Sequence, residues 1–127
     1  GMNEYESRLA YYALTGNSGN ESLERVGSGI YKKLNIDTLV IHPVDGSFAW
    51  NKDGDHYACN FHIRRPKLST GGGDNFNAGF CWAMLMGLDI TSSLIIANAI
   101  SGFYVKNGYC GRREDIMDFL YKWYESI

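Results

Sequence analysis

Three consecutive glycines, Gly71-Gly72-Gly73, stand directly before an acid, Asp74, and an apolar, helix-compatible run from Phe76 to Leu88. A glycine run lets backbone N–H groups converge on one point, because no Cβ blocks the approach. A helix starting at about Gly73 would aim its free N–H groups and its positive dipole end at the same place. The result is an anion hole with the Asp74 carboxylate beside it. Phosphoryl transfer to a hydroxyl needs those two parts: donors for the transferred phosphate and an acceptor for the hydroxyl proton. Two plainer roles fit the same residues, a flexible turn and a helix cap. The segment is not a Walker loop, since no Gly-Lys-Ser/Thr follows, and Asp74 interrupts any dinucleotide fingerprint.

The elements around the loop follow from periodicity. Tyr5, Leu9, Tyr12 and Ala13 recur at helical spacing, predicting a helix from Asn3 to Leu14. Gly16 to Asn20 reads as a loop. A second helix is expected over Glu21 to Leu34, with Leu23, Val26, Ile30 and Leu34 on one face and Gly27 and Gly29 marking close packing. Thr38 to His42 is a short β-branched run and reads as a buried parallel strand. Ser47 to Trp50 and His56 to Phe61 flank an Asp53-Gly54 turn signal and read as a hairpin. That turn lacks the glycine and glutamate a calcium loop requires. His62 to Lys67 is a basic connector to the glycine loop, read first as a solvated edge. Three helices follow: Asp74 to Met86, Ile90 to Lys106 and Arg113 to Tyr124, with Gly87 and Gly108 as stops.

The chain has 127 residues, 45% hydrophobic and 20% charged. It suits a single domain with a real core. A net charge of -2 with no basic excess argues against nucleic acid as the main partner. No apolar stretch is long enough for a membrane span, and no signal peptide is visible. Gly1 before Met2 reads as a remnant of tag removal. Cys59, Cys81 and Cys110 form neither a disulfide framework nor a zinc pattern. They are expected as small buried hydrophobes in a reducing cytoplasm.

Leu68 to Phe80 resembles the signature of ribokinase-like (PfkB-type) carbohydrate kinases, Asp-Thr-x-Gly-Ala-Gly-Asp-x-Phe. Asn3-Glu4-Tyr5-Glu6 resembles the family's Asn-x-x-Glu motif, and Ala97-Asn98-Ala99 followed by Gly108 resembles its adenine-pocket segment. The order and spacing agree over nearly the whole chain. The resemblance implies an α/β fold of ribokinase-like α/β/α layers, C-terminal part only: a truncated parallel sheet with a hairpin and covering helices. It implies Asp74 as catalytic base and Gly71, Gly72 and Gly73 as the γ-phosphate hole. It implies Asn3 and Glu6 as the pair organising Mg²⁺, and Thr70, Asn98, Gly46 and Gly108 on the nucleotide side. ATP and Mg²⁺ are the implied cofactors, and a nucleotide and a small-molecule sugar the implied partners. Plainer roles remain open for Asn3 (a helix cap), Glu6 (a surface charge) and Asn98 (a helix-interior contact).

Two positions depart from the family pattern. Leu68 stands where an acid linked to a monovalent cation is usual, so potassium activation does not follow. Val40 to Gly46 sits where Thr-x-Gly-x-x-Gly is common; His42 and Val44 break it and only Gly46 survives. The family's lid and sugar-binding acids have no counterpart in this chain. The reading is therefore the nucleotide-side, catalytic-base half of an ATP-dependent sugar kinase, inactive alone. The alternatives are a non-catalytic nucleotide-binding or interaction remnant and one half of a split enzyme. Self-association is expected through the surface the other half would cover.

Overall fold

A computed structural model describes all 127 residues. Five helices and three strands follow in the order α1 (Glu4–Thr15), α2 (Leu23–Lys33), β1 (Thr38–Ile41), β2 (Gly46–Asn51), β3 (Gly54–Cys59), α3 (Gly72–Leu85), α4 (Ile90–Asn107) and α5 (Arg113–Ser126). The sheet order is β1-β2-β3, and both pairings are antiparallel.

The sheet is covered on both faces, because β1 sends alternate residues in opposite directions. Leu39 and Ile41 join Trp50 in a cluster with Tyr11 of α1 and Val26 and Ile30 of α2. Val40 joins Ala49 and Ala58 in a second cluster, with Phe76 and Phe80 of α3 and Ile90, Leu94 and Ala97 of α4. Phe61, Ala99, Phe103 and Ile116 form a third, which docks α5. The architecture is the expected α/β/α layering, with α1 and α2 on one side and α3 and α4 on the other. Gly27 does mark close packing: a Cβ there would lie 2.1 Å from the Trp50 ring.

Three expectations need correction. The parallel reading of Thr38 to His42 is overturned, since β1 pairs antiparallel with β2. The connection from Ile41 to Gly46 is far too short for the crossover a parallel neighbour requires. Burial on both faces, which the apolar run did signal, looks the same in either direction. The parallel contact β1 does make is on its other edge, where Met2 bridges Ile41. The Met2 N–H donates to the Val40 carbonyl (2.9 Å), and the Met2 carbonyl accepts from His42 N–H (3.0 Å). The hairpin exists but is shifted: Asn51 pairs with Gly54, so Lys52 and Asp53 form the turn. Asp53 keeps a negative φ, so it cannot lead a type I′ Asp-Gly turn, and its N–H donates to Asn51 Oδ1 (2.9 Å) instead. The three cysteines are exposed rather than buried.

Candidate functional site

The glycine loop enters α3 through Gly71, whose left-handed backbone (φ 89°) turns the chain into the helix. α4 holds that turn by two hydroxyls. Ser101 Oγ donates to the Gly72 carbonyl (2.9 Å), and Tyr104 OH donates to the Thr70 carbonyl (3.0 Å). The connector is fixed to the same helix, with Lys67 N–H donating to the Val105 carbonyl (2.9 Å). Gly72 must come close to α4, since a Cβ there would meet Val105 Cγ2 at 3.1 Å.

The first turn of a helix has N–H groups without intrahelical partners. Gly72 N–H is satisfied by the Ser69 carbonyl (3.1 Å), and Asn75 N–H by the Gly71 carbonyl (3.0 Å). Between them, Gly73 and Asp74 N–H are unpaired, and no side chain caps α3. Gly71 N–H, just before the helix, is unpaired as well, so of the three glycines only Gly72 has its N–H taken, and Asp74 N–H is free beside them. The Asp74 carboxylate is exposed in the same first turn.

A cleft of about 530 Å³ opens beside this turn, within the usual range for small-ligand sites. It brings together Gly72, Gly73 and Asn98 with His42, Asp45 and Ser69. Asn98 is 1% exposed. Its Nδ2 donates to Ser47 Oγ (3.0 Å) and to the Cys59 carbonyl (3.1 Å), tying α4 to the hairpin. Its Oδ1 is buried without a partner. Buried polar atoms are ordinarily paired, so an orphan acceptor in a cleft wall fits a ligand that brings a donor.

His42, at the end of β1, is the residue the sequence noted only as a departure. Its ring lies against Phe76 (centroids 4.7 Å apart) and over Gly73. Burial lowers its pKa; its own carbonyl, Glu6 and Asp74 act to raise it, and the N-terminal ammonium to lower it. His42 touches both helix starts, its N–H bonded to the Met2 carbonyl just before α1 and its ring over Gly73 of α3, so the two helix N-termini lie at the same end of the sheet. The Met2–Ile41 bridge causes this.

The other expected residues divide. Asn3 and Glu6 stand at that end, engaged in a reciprocal cap: Glu6 N–H donates to Asn3 Oδ1 (2.8 Å) and Asn3 N–H to Glu6 Oε2 (2.9 Å). No group of three or more His, Cys, Asp or Glu is placed to hold a metal ion by itself. Gly46 is buried beside the cleft, and a Cβ there would meet the ring of the exposed Tyr57 at 2.6 Å. Thr70 is exposed, and its carbonyl accepts from Tyr104 OH. Gly108 ends α4 in a left-handed cap (φ 79°) and does not line the cleft. Ser101 and Tyr104, the loop's anchors, carry no motif and could not be found from sequence.

The three layers, with a glycine turn opening α3, are those of the C-terminal part of the ribokinase-like (PfkB-type) fold. The profile of the prokaryotic ketohexokinase family matches residues 2–123, and the chain belongs to that family. It is 26% identical over 106 residues to a ketohexokinase of Haloferax volcanii, covering 84% of this chain and 28% of that protein. It is 27% identical over 92 residues to a 5-dehydro-2-deoxygluconokinase of Bacillus licheniformis, covering 72% of this chain and 27% of that one. Among solved structures, Thermotoga maritima ribokinase superposes with a TM-score of 0.82 at 20% identity, over 94% of this chain and 40% of its own. Arabidopsis thaliana ribokinase, solved with ribose and ATP, gives 0.78 at 23% identity, over 93% and 39%. The chain thus spans well under half the length of these relatives.

Proposed function

We propose that this chain supplies the nucleotide-binding and proton-accepting half of an ATP-dependent carbohydrate kinase. The observation that carries the reading is the pair of unpaired N–H groups, Gly73 and Asp74, at the start of α3, with the Asp74 carboxylate in the same turn. Donors fixed before the ligand arrives stabilise developing negative charge without reorganisation. In this reading they hold the terminal phosphate of ATP. Asp74 accepts the proton of the attacking sugar hydroxyl. Asn98 Oδ1, the orphan acceptor, receives a donor from the nucleotide's base or ribose. The absence of side chains at Gly72 and Gly73 leaves room for the phosphate chain.

A Mg²⁺ ion in such a site neutralises phosphate charge, and phosphate oxygens and water would supply most of its ligands. Glu6 and Asn3 support it from the second layer only, because their cap engages them. Alone, the chain holds one reactant and leaves the sugar unplaced, and positioning supplies much of phosphoryl-transfer catalysis. It therefore has little or no turnover by itself. The second reading, a non-catalytic nucleotide-binding remnant, is favoured by His42 and Leu68 at positions where the family pattern differs.

The test compares MgATP with MgADP by calorimetry, in the parent and in Gly73→Ala. ATP binding more tightly in the parent, with the preference lost in the variant, supports a terminal-phosphate site at α3. Equal affinities in the parent would overturn it. A coupled assay across hexoses and pentoses addresses the second half: turnover in the parent that vanishes in Asp74→Asn would contradict inactivity alone while supporting Asp74 as the base.

A further inference from the structure

We propose that His42 is a phosphate-positioning residue, its imidazole closing the hole at the start of α3 and donating a hydrogen bond to a phosphoryl oxygen held by Gly73 and Asp74 N–H. The inference rests on the phosphate reading above and adds one side chain to it.

The geometry is close. A Cβ built on Gly73 would lie 3.0 Å from His42 Cε1, 3.6 Å from Nε2 and 3.9 Å from Nδ1. The ring edge that carries the nitrogens therefore faces the helix start. A bulkier residue than glycine at position 73 would push the ring aside. The ring is also held in place from behind. Phe76, one turn into α3, lies beneath it at 4.7 Å with a 34° tilt. The His42 backbone is fixed by its N–H to the Met2 carbonyl (3.0 Å). A side chain so constrained needs little reordering to contact a ligand, which is what makes a contact effective.

The place is a cleft and not a bare helix end. His42, Gly72, Gly73 and Asn98 line one cavity. Asn98, 1% exposed, brings to its wall the orphan Oδ1 described above. This acceptor and the two free N–H groups are complementary to opposite parts of one ligand, an anion attached to a hydrogen-bond donor.

The charges around His42 set a signature. Burial lowers its pKa; against it, its own backbone carbonyl, Glu6 of α1 and Asp74 of α3 act to raise it, the N-terminal ammonium lowers it, and Asp45 and His62 line the same cleft. Burial dominates and holds the ring below its ordinary value of 6.5 in the free protein. A bound phosphate adds negative charge at the ring's open edge, so it must raise that pKa. Phosphate binding and proton uptake by His42 are then linked.

The experiment is a titration of the isotope-labelled chain with inorganic phosphate, following backbone amides and the His42 ring by NMR across a pH series. The inference expects Gly73 and Asp74 amides and the His42 ring to shift in one saturable transition, with the His42 titration moving upward. His42→Phe keeps the ring on Phe76 but removes the donor, and should weaken phosphate binding roughly 10-fold or more, the worth of a hydrogen bond to a charged group. His42→Asn keeps a donor and should retain more of the affinity than His42→Phe. Shifts at Gly73 and Asp74 without any at His42, or phosphate affinity unchanged in His42→Phe, would overturn the role of His42 and leave the phosphate site standing. No shift at any of the three would overturn both.

Discussion

Adjacent glycines of the loop should respond in opposite ways to the same methyl group. Gly71 sits at φ 89°, in the left-handed region, and a Cβ there would lie 2.9 Å from Tyr104 OH. The backbone conformation alone costs an alanine about 1–2 kcal/mol. Displacing Tyr104 also disturbs its hydrogen bond to the Thr70 carbonyl, worth roughly 1 kcal/mol. Gly71→Ala should therefore destabilise by about 2–3 kcal/mol, a fall in melting temperature on the order of 10 °C for a domain of this size. Gly73 lies inside α3 with no positive φ, and its added Cβ meets only the His42 ring, at 3.0 Å. Helix propensity favours alanine over glycine there by up to about 1 kcal/mol, which offsets a small shift of the ring. Gly73→Ala should melt within a few degrees of the parent while losing phosphate affinity. Thermal denaturation of both variants by circular dichroism is the assay. A Gly71→Ala protein as stable as the parent, or a Gly73→Ala protein as damaged as Gly71→Ala, would refute the assignment of Gly71 to the turn and Gly73 to the ligand.

Other consequences can be measured on the same protein. Gly27→Ala would drive a Cβ to 2.1 Å from Trp50 and should cost about 1–3 kcal/mol by overpacking, read from urea denaturation. Asn98→Asp puts a carboxylate against the Cys59 carbonyl in a buried site and should cost at least about 2 kcal/mol, or fold only with the acid protonated, seen as stability that rises on acidification. His42 has a folded pKa below its unfolded 6.5, so the unfolded state binds the proton more readily; its contribution to stability is complete above 6.5 and is lost as pH falls below it, which denaturation at pH 5 to 8 in His42→Phe against the parent should show. Asp89, whose pKa is lowered by the Ser92 hydroxyl and N–H, contributes stability above the ordinary carboxylate range that is lost as pH falls through its folded value, and Asp89→Asn should flatten that acid limb. Tyr5, Leu9 and Tyr12 on α1 and Trp82 and Leu85 on α3 are exposed, and we expect self-association at micromolar concentration; light scattering that reports a monomer would contradict it.

The sequence made the helices and the glycine turn legible because their signals are local. Gly71 to Asp74 announces a helix start by residue type alone, and Asn3-x-x-Glu6 is a capping box as written. What it hid depends on pairing. The apolar run at β1 reports burial on both faces and is silent on direction, which the short link through Pro43 decides. That Gly72 N–H is not free could not be read, because Ser69, outside the helix, takes it. His42 reads in sequence as a broken motif; only the Met2 bridge and Phe76 show that it stands over Gly73. The cysteines look like core residues by type, and no local signal marks them as exposed.

On the proposed function, the start of α3 receives the terminal phosphate of a nucleotide lying in the cleft. A crystal structure of this chain with Mg²⁺ and a non-hydrolysable ATP analogue tests it most directly. The γ-phosphate should lie within hydrogen-bond distance of Gly73 and Asp74 N–H, with a donor of the base or ribose on Asn98 Oδ1. A nucleotide bound elsewhere, for instance in the aromatic hollow formed by Phe48, Trp50 and Tyr57, with the α3 start bare, would contradict it.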